Sequence, residues 1–353
     1  MNLFPKHIRL NNEKVFVDEF IQKPHKPGRE KELAGFMKEW YAPADFLEVK
    51  TSGSTGSPKT IRLKKEFVAE SARRTLLFFQ LTKNDRVLHC IPFKYIAGKL
   101  MVVRALLGEL DLMLVEPSTD FLFLKNEKFR FAAMVPNQVV KILNAESQTA
   151  DLLGNIGKLL IGGSAVPYSL EKQLQNLKTA CYSSYGMTET ATHIALRKMN
   201  GHGADGWYRC LENINVSLSD KGCLQIFMSG LENQPLQTTD LAELKDEKTF
   251  RILGRADHVI ISGGIKFSPE QIEKKLEPFI DEPFLISSLP HESLGEQLVL
   301  VVEGKKSDLE TKRLMEICRR QLEKYEQPRQ LLFVSEIRNT ENGKLDRKGL
   351  FIA

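Results

Sequence analysis

Thr51-Ser52-Gly53-Ser54-Thr55-Gly56-Ser57-Pro58-Lys59 gathers glycine, hydroxyl side chains and a lysine more densely than any other stretch of the chain. An apolar run precedes it (Phe46, Leu47, Val49) and another follows (Ile61, Leu63), so it reads as a loop between two strands. Such a loop can wrap phosphate. Gly53 and Gly56 permit positive φ and close backbone approach, amides and hydroxyls donate hydrogen bonds, and Lys59 adds a cation. The spacing is not that of a Walker loop, G-x-x-x-x-G-K-[ST], and no helix obviously opens behind it. A polar, flexible turn explains the same composition, so the surrounding chain has to decide.

Downstream of the loop, from Arg86, short apolar runs at Val87–Ile91, Leu112–Val115, Phe131–Val135, Leu159–Ile161 and Ala180–Tyr182 alternate with stretches of helical period such as Leu100–Leu107 and Tyr168–Leu177. That rhythm predicts βαβ units and a largely parallel sheet, with ligands gathered beyond the carboxyl ends of the strands. Three loops fall there: Pro92-Phe-Lys-Tyr95, Gly162-Gly163-Ser164-Ala165 and Tyr185-Gly186-Met187-Thr188-Glu189-Thr190. Upstream, residues 1–45 hold a short strand near Lys14–Val17 and a helix near Arg29–Trp40, with no recognisable chemistry.

From Trp207 to Leu253 the pattern turns to short alternating strands with hairpin signals, as in Asn215–Ser219, Asp220-Lys-Gly222 and Leu224–Met228. Near Asp257 it changes again. Val259–Ile261 reads as a strand, Gly263-Gly264 as a turn, and Ser268-Pro-Glu-Gln271 as a helix start in which Ser268 caps, Pro269 leads and Gln271 returns a capping-box hydrogen bond. Ser307 with Glu310 opens a second helix whose apolar stripe is Leu314, Cys318, Leu322 and Tyr325, among strands at Phe284–Ser287, Leu298–Val302 and Leu331–Val334. The expected fold is therefore α/β: a large N-terminal domain (1–256) with a parallel sheet and an antiparallel appendage, and a small α+β domain (257–353).

With 353 residues, 42% of them hydrophobic and 27% charged, the chain can bury a large core. No signal peptide or membrane span is evident, and five scattered cysteines without a C-x-x-C pair suit reduced thiols in a cytoplasm. The net charge of +5 lies largely in 304–350, where twelve Lys/Arg oppose eight Asp/Glu; no basic block carries interleaved aromatics, so small anionic substrates fit better than nucleic acid.

Taken together, Thr51–Lys59, Tyr185-Gly-Met-Thr-Glu189, Thr239-Asp240, Gly254-Arg-Ala-Asp257 with Ser262-Gly-Gly264, and Asn342-Gly-Lys344 resemble the adenylate-forming superfamily of acyl-CoA synthetases, peptide-synthetase adenylation domains and luciferases. Five such pieces in this order make coincidence remote. The resemblance implies that a small-molecule carboxylic acid attacks the α-phosphorus of ATP to give an acyl-adenylate, which a thiol, that of CoA, then attacks. Both transition states concentrate negative charge, so the chemistry asks for positioned donors and cations.

By the same resemblance, Thr51, Ser52, Gly53, Ser54, Thr55, Gly56 and Lys59 hold the β- and γ-phosphates, and Thr188 contacts the α-phosphate. Glu189 carries Mg²⁺, a cation that takes carboxylate and phosphate oxygen. Gly163, Ser164 and Ala165 cover the adenine, with Ser184, Tyr185, Gly186 and Met187 lining the same nucleotide site; a plain strand-to-helix turn is the competing reading of the first three. Asp240 accepts the ribose hydroxyls, although Thr239 stands where the family has glycine; Arg255 reaches ribose or phosphate, and Asp257 marks the hinge of a mobile lid. Lys344 would clamp the attacking carboxylate and the phosphoryl oxygen, and Gly263 and Gly264 would border the tunnel for the thiol arm, unless they serve only a tight turn. His258 replaces a second acid beside the hinge and takes no catalytic part.

Within the superfamily, Ile91-Pro-Phe-Lys-Tyr-Ile-Ala-Gly98 followed by Arg104 resembles the o-succinylbenzoate:CoA ligases. Tyr95 occupies the position of a family histidine, and Arg104, in an apolar helix (Met101, Val102, Val103, Leu106, Leu107), would bind the acid's ring carboxylate; a structural salt bridge is the alternative. The chain departs from the family in one large respect, since only 50 residues precede the phosphate loop, and a dimer would cover surface that a reduced N-terminal subdomain leaves bare. Other acids, a carrier-protein thiol as acceptor, or a silent nucleotide-binding paralogue are the competing functions.

Overall fold

Apolar runs that alternate with helical periods can bury both faces of a sheet, and that is what the first part of the chain does. The computed structural model describes residues 2–50, 59–117, 124, 126–145, 152–231, 234–337 and 347. The chain divides into two compact units, Met1–Ile214 with Met228–Glu232, and Asn215–Phe227 with Asn233–Ala353. This division reflects packing and falls ahead of Asp257, whose expected role is that of a hinge.

The first unit starts with a hairpin, β1 (His7–Leu10) and β2 (Glu13–Phe16), then α1 (Val17–Gln22) and α2 (Arg29–Tyr41). A second hairpin pairs β3 (Phe46–Lys50) with β4 (Thr60–Lys64) in the register Lys50↔Thr60, so the Thr51–Lys59 segment is the connection of a two-stranded ribbon, as its flanking apolar runs predict. Residues 51–58 lie outside the described residues. The next helix, α3 (Lys65–Phe79), begins only after β4, which agrees with the exclusion of a Walker loop. Then follow β5 (Arg86–His89), α4 (Ile96–Gly108), β6 (Asp111–Leu114), β7 (Phe129–Met134), α5 (Pro136–Asn144), β8 (Ile156–Ile161), α6 (Tyr168–Leu174), β9 (Ala180–Gly186), β10 (His193–Lys198) and β11 (Tyr208–Cys210).

The strand order in this unit is β11-β10-β9-β8-β7-β5-β6-β1-β2. Neighbours from β9 through β1 run parallel, while β10, β11 and β2 are antiparallel additions. Leu88, Ala132, Met134, Leu159, Ile161 and Cys181 point into a core completed by Val139, Ile142, Leu170 and Leu174 of the covering helices. The three loops singled out above leave the carboxyl ends of β5, β8 and β9, which is where a parallel sheet collects ligands.

The second unit contains β12 (Ile214–Leu218), β13 (Cys223–Met228), β14 (Leu236–Asp246) and β15 (Thr249–Arg255), the expected antiparallel strands. The turn at Ser219–Gly222 uses glycine at φ 74°. A second sheet joins β16 (Ile260–Ser262) and β17 (Ile265–Phe267) to β18 (Phe284–His291), β19 (Gly295–Glu303) and β20 (Gln330–Val334), covered by α7 (Pro269–Leu276) and α8 (Asp308–Gln321). Its core gathers Ile272, Leu276, Ile286, Leu298, Leu300, Val302, Leu314, Cys318 and Leu322.

Two local expectations are corrected. Ser268 precedes α7 and Pro269 leads it, but there is no capping box: the Ser268 hydroxyl lies 3.1 Å from the Leu253 carbonyl and 3.2 Å from Glu270 Oε2, so it serves strand-to-helix packing instead. Tyr325 lies beyond the end of α8 and is exposed, so the buried stripe stops at Leu322. Ser307 does cap α8, accepting from the Glu310 amide at 3.1 Å. No helix among the described residues is long and apolar enough to cross a membrane.

Candidate active site

In the first unit the loops after β8 and β9 lie side by side because their strands are parallel neighbours. The Gly162 amide donates to the Met134 carbonyl at 3.1 Å, and any side chain at 162 would collide with Ser184 Oγ. Ser184 Oγ donates in turn to the Ile161 carbonyl at 3.3 Å. Gly163 then takes φ 92°, which glycine adopts without penalty, and leaves Ser164 half-buried and Ala165 exposed at the sheet edge. Of the residues predicted to line the nucleotide, Gly163–Ala165 and Ser184–Met187 are thus brought together.

The turn behind β9 is held by a residue the sequence reading did not single out. Thr190 is fully buried; its hydroxyl accepts from the Met187 amide at 3.1 Å and donates to the Thr192 carbonyl at 2.6 Å. Gly186 is obligatory there, since a Cβ would strike the Thr192 carbonyl as β10 folds back. Thr188 and Glu189 are therefore presented on a fixed backbone, Thr188 half-exposed and Glu189 exposed. An exposed carboxylate on a rigid turn fits the donor chemistry of Mg²⁺. The repeated threonine in Thr188-Glu-Thr190 is the signal that could have identified Thr190.

Arg104 makes no salt bridge among the described residues. It is 2% exposed, its Nε has no hydrogen-bond partner among the described residues, and Nη1 lies 3.9 Å from Met101 Sδ. Burial alone pulls its pKa down to about 9, which still leaves a cation at neutral pH. The field of that cation reaches His193, buried at the start of β10 directly after the Glu189 turn and 3.2 Å from Thr75 Oγ1. Burial, reinforced by Arg104, holds His193 neutral. Arg104 therefore belongs to the same neighbourhood as the Thr188–Thr190 turn, and His193 and Thr75 join it as residues that the sequence motifs passed over. Tyr95 stands at the head of the same helix, as the N-cap of α4.

A pH dependence of stability follows. His193 lies well below its ordinary value, and His89 falls to about 3 through burial first and the adjacent Arg29 charge second. The unfolded chain takes up these protons below about pH 6.5 and the folded chain does not, so stability present above that pH is lost as pH falls toward the folded values, by up to about 1.4 kcal/mol per unit per histidine. Thermal melts from pH 8 to 5 should show the slope, flattened in a His89→Gln, His193→Gln protein. An unchanged slope would move its origin to the carboxylates.

In the second unit, Asp240 and Arg255 face each other across the β14–β15 pair. The Arg255 guanidinium binds Asp257 through Nε at 2.8 Å and Nη2 at 2.9 Å, with Nη1 3.3 Å from Asp240 Oδ1. The first contact, with the Arg255 charge, holds the Asp257 carboxyl below its usual range. Thr239 sits within strand β14, and the hydroxyl of Thr238 accepts from the Asp240 amide at 3.1 Å. Gly263 and Gly264 take φ 56° and 81° in the turn between β16 and β17, a requirement that explains both glycines by itself. His258 bonds Glu270 at 2.6 Å, in keeping with a structural role. Lys344 and residues 51–58 lie outside the described residues; Lys59, immediately before β4, is exposed.

A family model described as AMP-binding enzyme matches residues 49–214. The chain is 34% identical to an acyl-CoA synthetase (AMP-forming)/AMP-acid ligase II-like protein from Dyadobacter fermentans DSM 18053, whose crystal structure it matches over 96% of this chain and 97% of that one with a TM-score of 0.64. It is 26% identical to the 2-succinylbenzoate–CoA ligase of Bacillus mycoides strain KBAB4 over 89% of this chain and 72% of the relative's length. The fold is also that of the o-succinylbenzoate CoA synthetase of Bacillus subtilis solved with its acyl-adenylate, at 19% identity and a TM-score of 0.71 over 87% of this chain and 69% of that one.

Proposed function

The chain belongs to the AMP-forming acyl-CoA synthetase family, and we propose that within it the protein converts o-succinylbenzoate to o-succinylbenzoyl-CoA. The observation that carries the choice of acid is Arg104. A guanidinium buried, as this one is, with no carboxylate beside it among the described residues costs several kcal/mol unless an anion arrives to pair with it. A dicarboxylic acid can leave one carboxylate on Arg104 and offer the other for activation; a fatty acid or simple benzoate cannot.

In the first half-reaction a carboxylate oxygen attacks the α-phosphorus of ATP and pyrophosphate leaves; in the second the CoA thiol attacks the acyl carbonyl and AMP leaves. Thr188 would donate to the α-phosphate, Gly163–Ala165 and Tyr185 would flank the adenine, and Asp240 and Arg255 would take the ribose. The Thr51–Lys59 loop would take the outer phosphates and Lys344 the attacking carboxylate. Glu189 would hold Mg²⁺, which neutralises charge on the phosphoryl oxygens when bound. Asp257 is proposed as the hinge that lets residues 257–353 serve both steps, and Gly263 and Gly264 as the border of the thiol arm's path. ATP–pyrophosphate exchange screened over o-succinylbenzoate, benzoates, fatty acids and amino acids tests the reading. Exchange is expected with the first; exchange with amino acids alone, followed by loading of a holo-carrier protein, would replace it.

A further inference from the structure

Residues 1–45 carry no family motif, yet α2 lies against the segment that holds the proposed acid pocket. Arg29, its first residue, is buried and uses its whole guanidinium. Nε donates to the Val115 carbonyl at 2.9 Å, Nη1 to Glu32 at 2.7 Å, and Nη2 to the Ile91 carbonyl at 2.8 Å and His89 Nδ1 at 3.0 Å. The plane of the group also covers the Phe93 ring at 4.6 Å. Arg29 thereby ties the carboxyl ends of β5 and β6 at the point where the Pro92–Tyr95 loop departs.

The tie continues into α4. With Nδ1 accepting from Arg29, the neutral His89 ring donates through Nε2 to the Gly98 carbonyl at 3.0 Å, in the first turn of the helix that carries Arg104. Gly98 is itself packed so tightly on the Pro92 carbonyl that no side chain fits. Further along the same face of α2, Phe36 meets Phe93 with ring centroids 6.3 Å apart, and Glu39 binds Lys99 Nζ at 2.6 Å. Arg29, Phe36 and Glu39 recur at helical spacing, so one face of α2 braces residues 89–99 at three places.

We infer that Arg29 is a positioning residue for the acid: through His89, Ile91 and Phe93 it fixes the loop bearing Tyr95 and the register of the helix bearing Arg104. This rests on the acid-activating function proposed above. It also gives the N-terminal region a task, since a one-ångström displacement of either group would loosen acid binding while leaving the nucleotide loops after β8 and β9 in place.

Arg29→Lys keeps the charge but loses the fork, and is chosen over truncation so that the variant folds. In pyrophosphate exchange the KM for the acid should rise about tenfold and that for ATP less than twofold; His89→Gln should show the same asymmetry. Glu32→Gln, which removes only the outward ion pair, should leave both unchanged. A folded Arg29→Lys protein with wild-type constants, or with both KM values raised equally, would overturn the inference. Amide hydrogen exchange provides a readout that needs no activity. In Arg29→Lys the amides of Tyr95, Gly98 and Lys99 should exchange at least tenfold faster while those of β7 and β8 keep their protection; unchanged or uniformly faster exchange would overturn it. Should the wild type activate no acid, the proposed function fails and hydrogen exchange alone decides the role of Arg29.

Discussion

Arg104→Ala is expected to raise the KM for the acid about a hundredfold or more while changing that for ATP less than threefold. A buried, hydrogen-bonded charge pair loses about 2–5 kcal/mol when one partner is truncated, and the acid would forfeit an interaction of that kind. Stability distinguishes this from the alternative. A structural salt bridge would cost the fold about 3–5 kcal/mol when broken, whereas Arg104 has no carboxylate beside it and its Nε is unpaired among the described residues. Replacing it with Met, of similar reach and suited to neighbours such as Met101, Val103 and Leu107, should raise the melting temperature while abolishing acid selectivity. A destabilised Arg104→Met protein would return Arg104 to a structural role.

The second large effect concerns a residue outside the described ones. Lys344→Ala is expected to lower acyl-adenylate formation by about two to three orders of magnitude, the usual loss when one donor to a developing oxyanion is removed. Thioester formation from preformed acyl-adenylate and CoA should persist within a few-fold of wild type, because charge on the attacking carboxylate matters only in the first half-reaction. Single-turnover assays of the separate steps measure both. Equal losses would assign Lys344 to binding or folding.

Much of this was legible in the chain because its signals are local. The βαβ rhythm fixes which loops reach the carboxyl ends of β5, β8 and β9, and the apolar runs around Thr51–Lys59 predict the β3–β4 ribbon. What the sequence could not expose depends on pairing across long separations. Arg29 finds Ile91, His89 and Val115 across 62, 60 and 86 positions, and His193 finds Thr75 across 118; no motif spacing encodes such contacts. Ser268 shows the converse. Its local pattern matches a capping box, but the Leu253 carbonyl and Glu270 compete for its hydroxyl and prevail. Arg104 lies between these cases: its apolar helix was visible, and whether a carboxylate waited beside it was not.

The central claim is that Arg104, a buried cation with no carboxylate beside it among the described residues, selects a second carboxylate on the acid being adenylated. It is tested most directly by ATP–pyrophosphate exchange with o-succinylbenzoate against the same keto acid lacking its ring carboxylate, 4-oxo-4-phenylbutanoate. A preference of at least a hundredfold in kcat/KM for the dicarboxylate, lost in Arg104→Met, is the predicted result. Equal exchange with both acids, or a preference that survives the substitution, would contradict it.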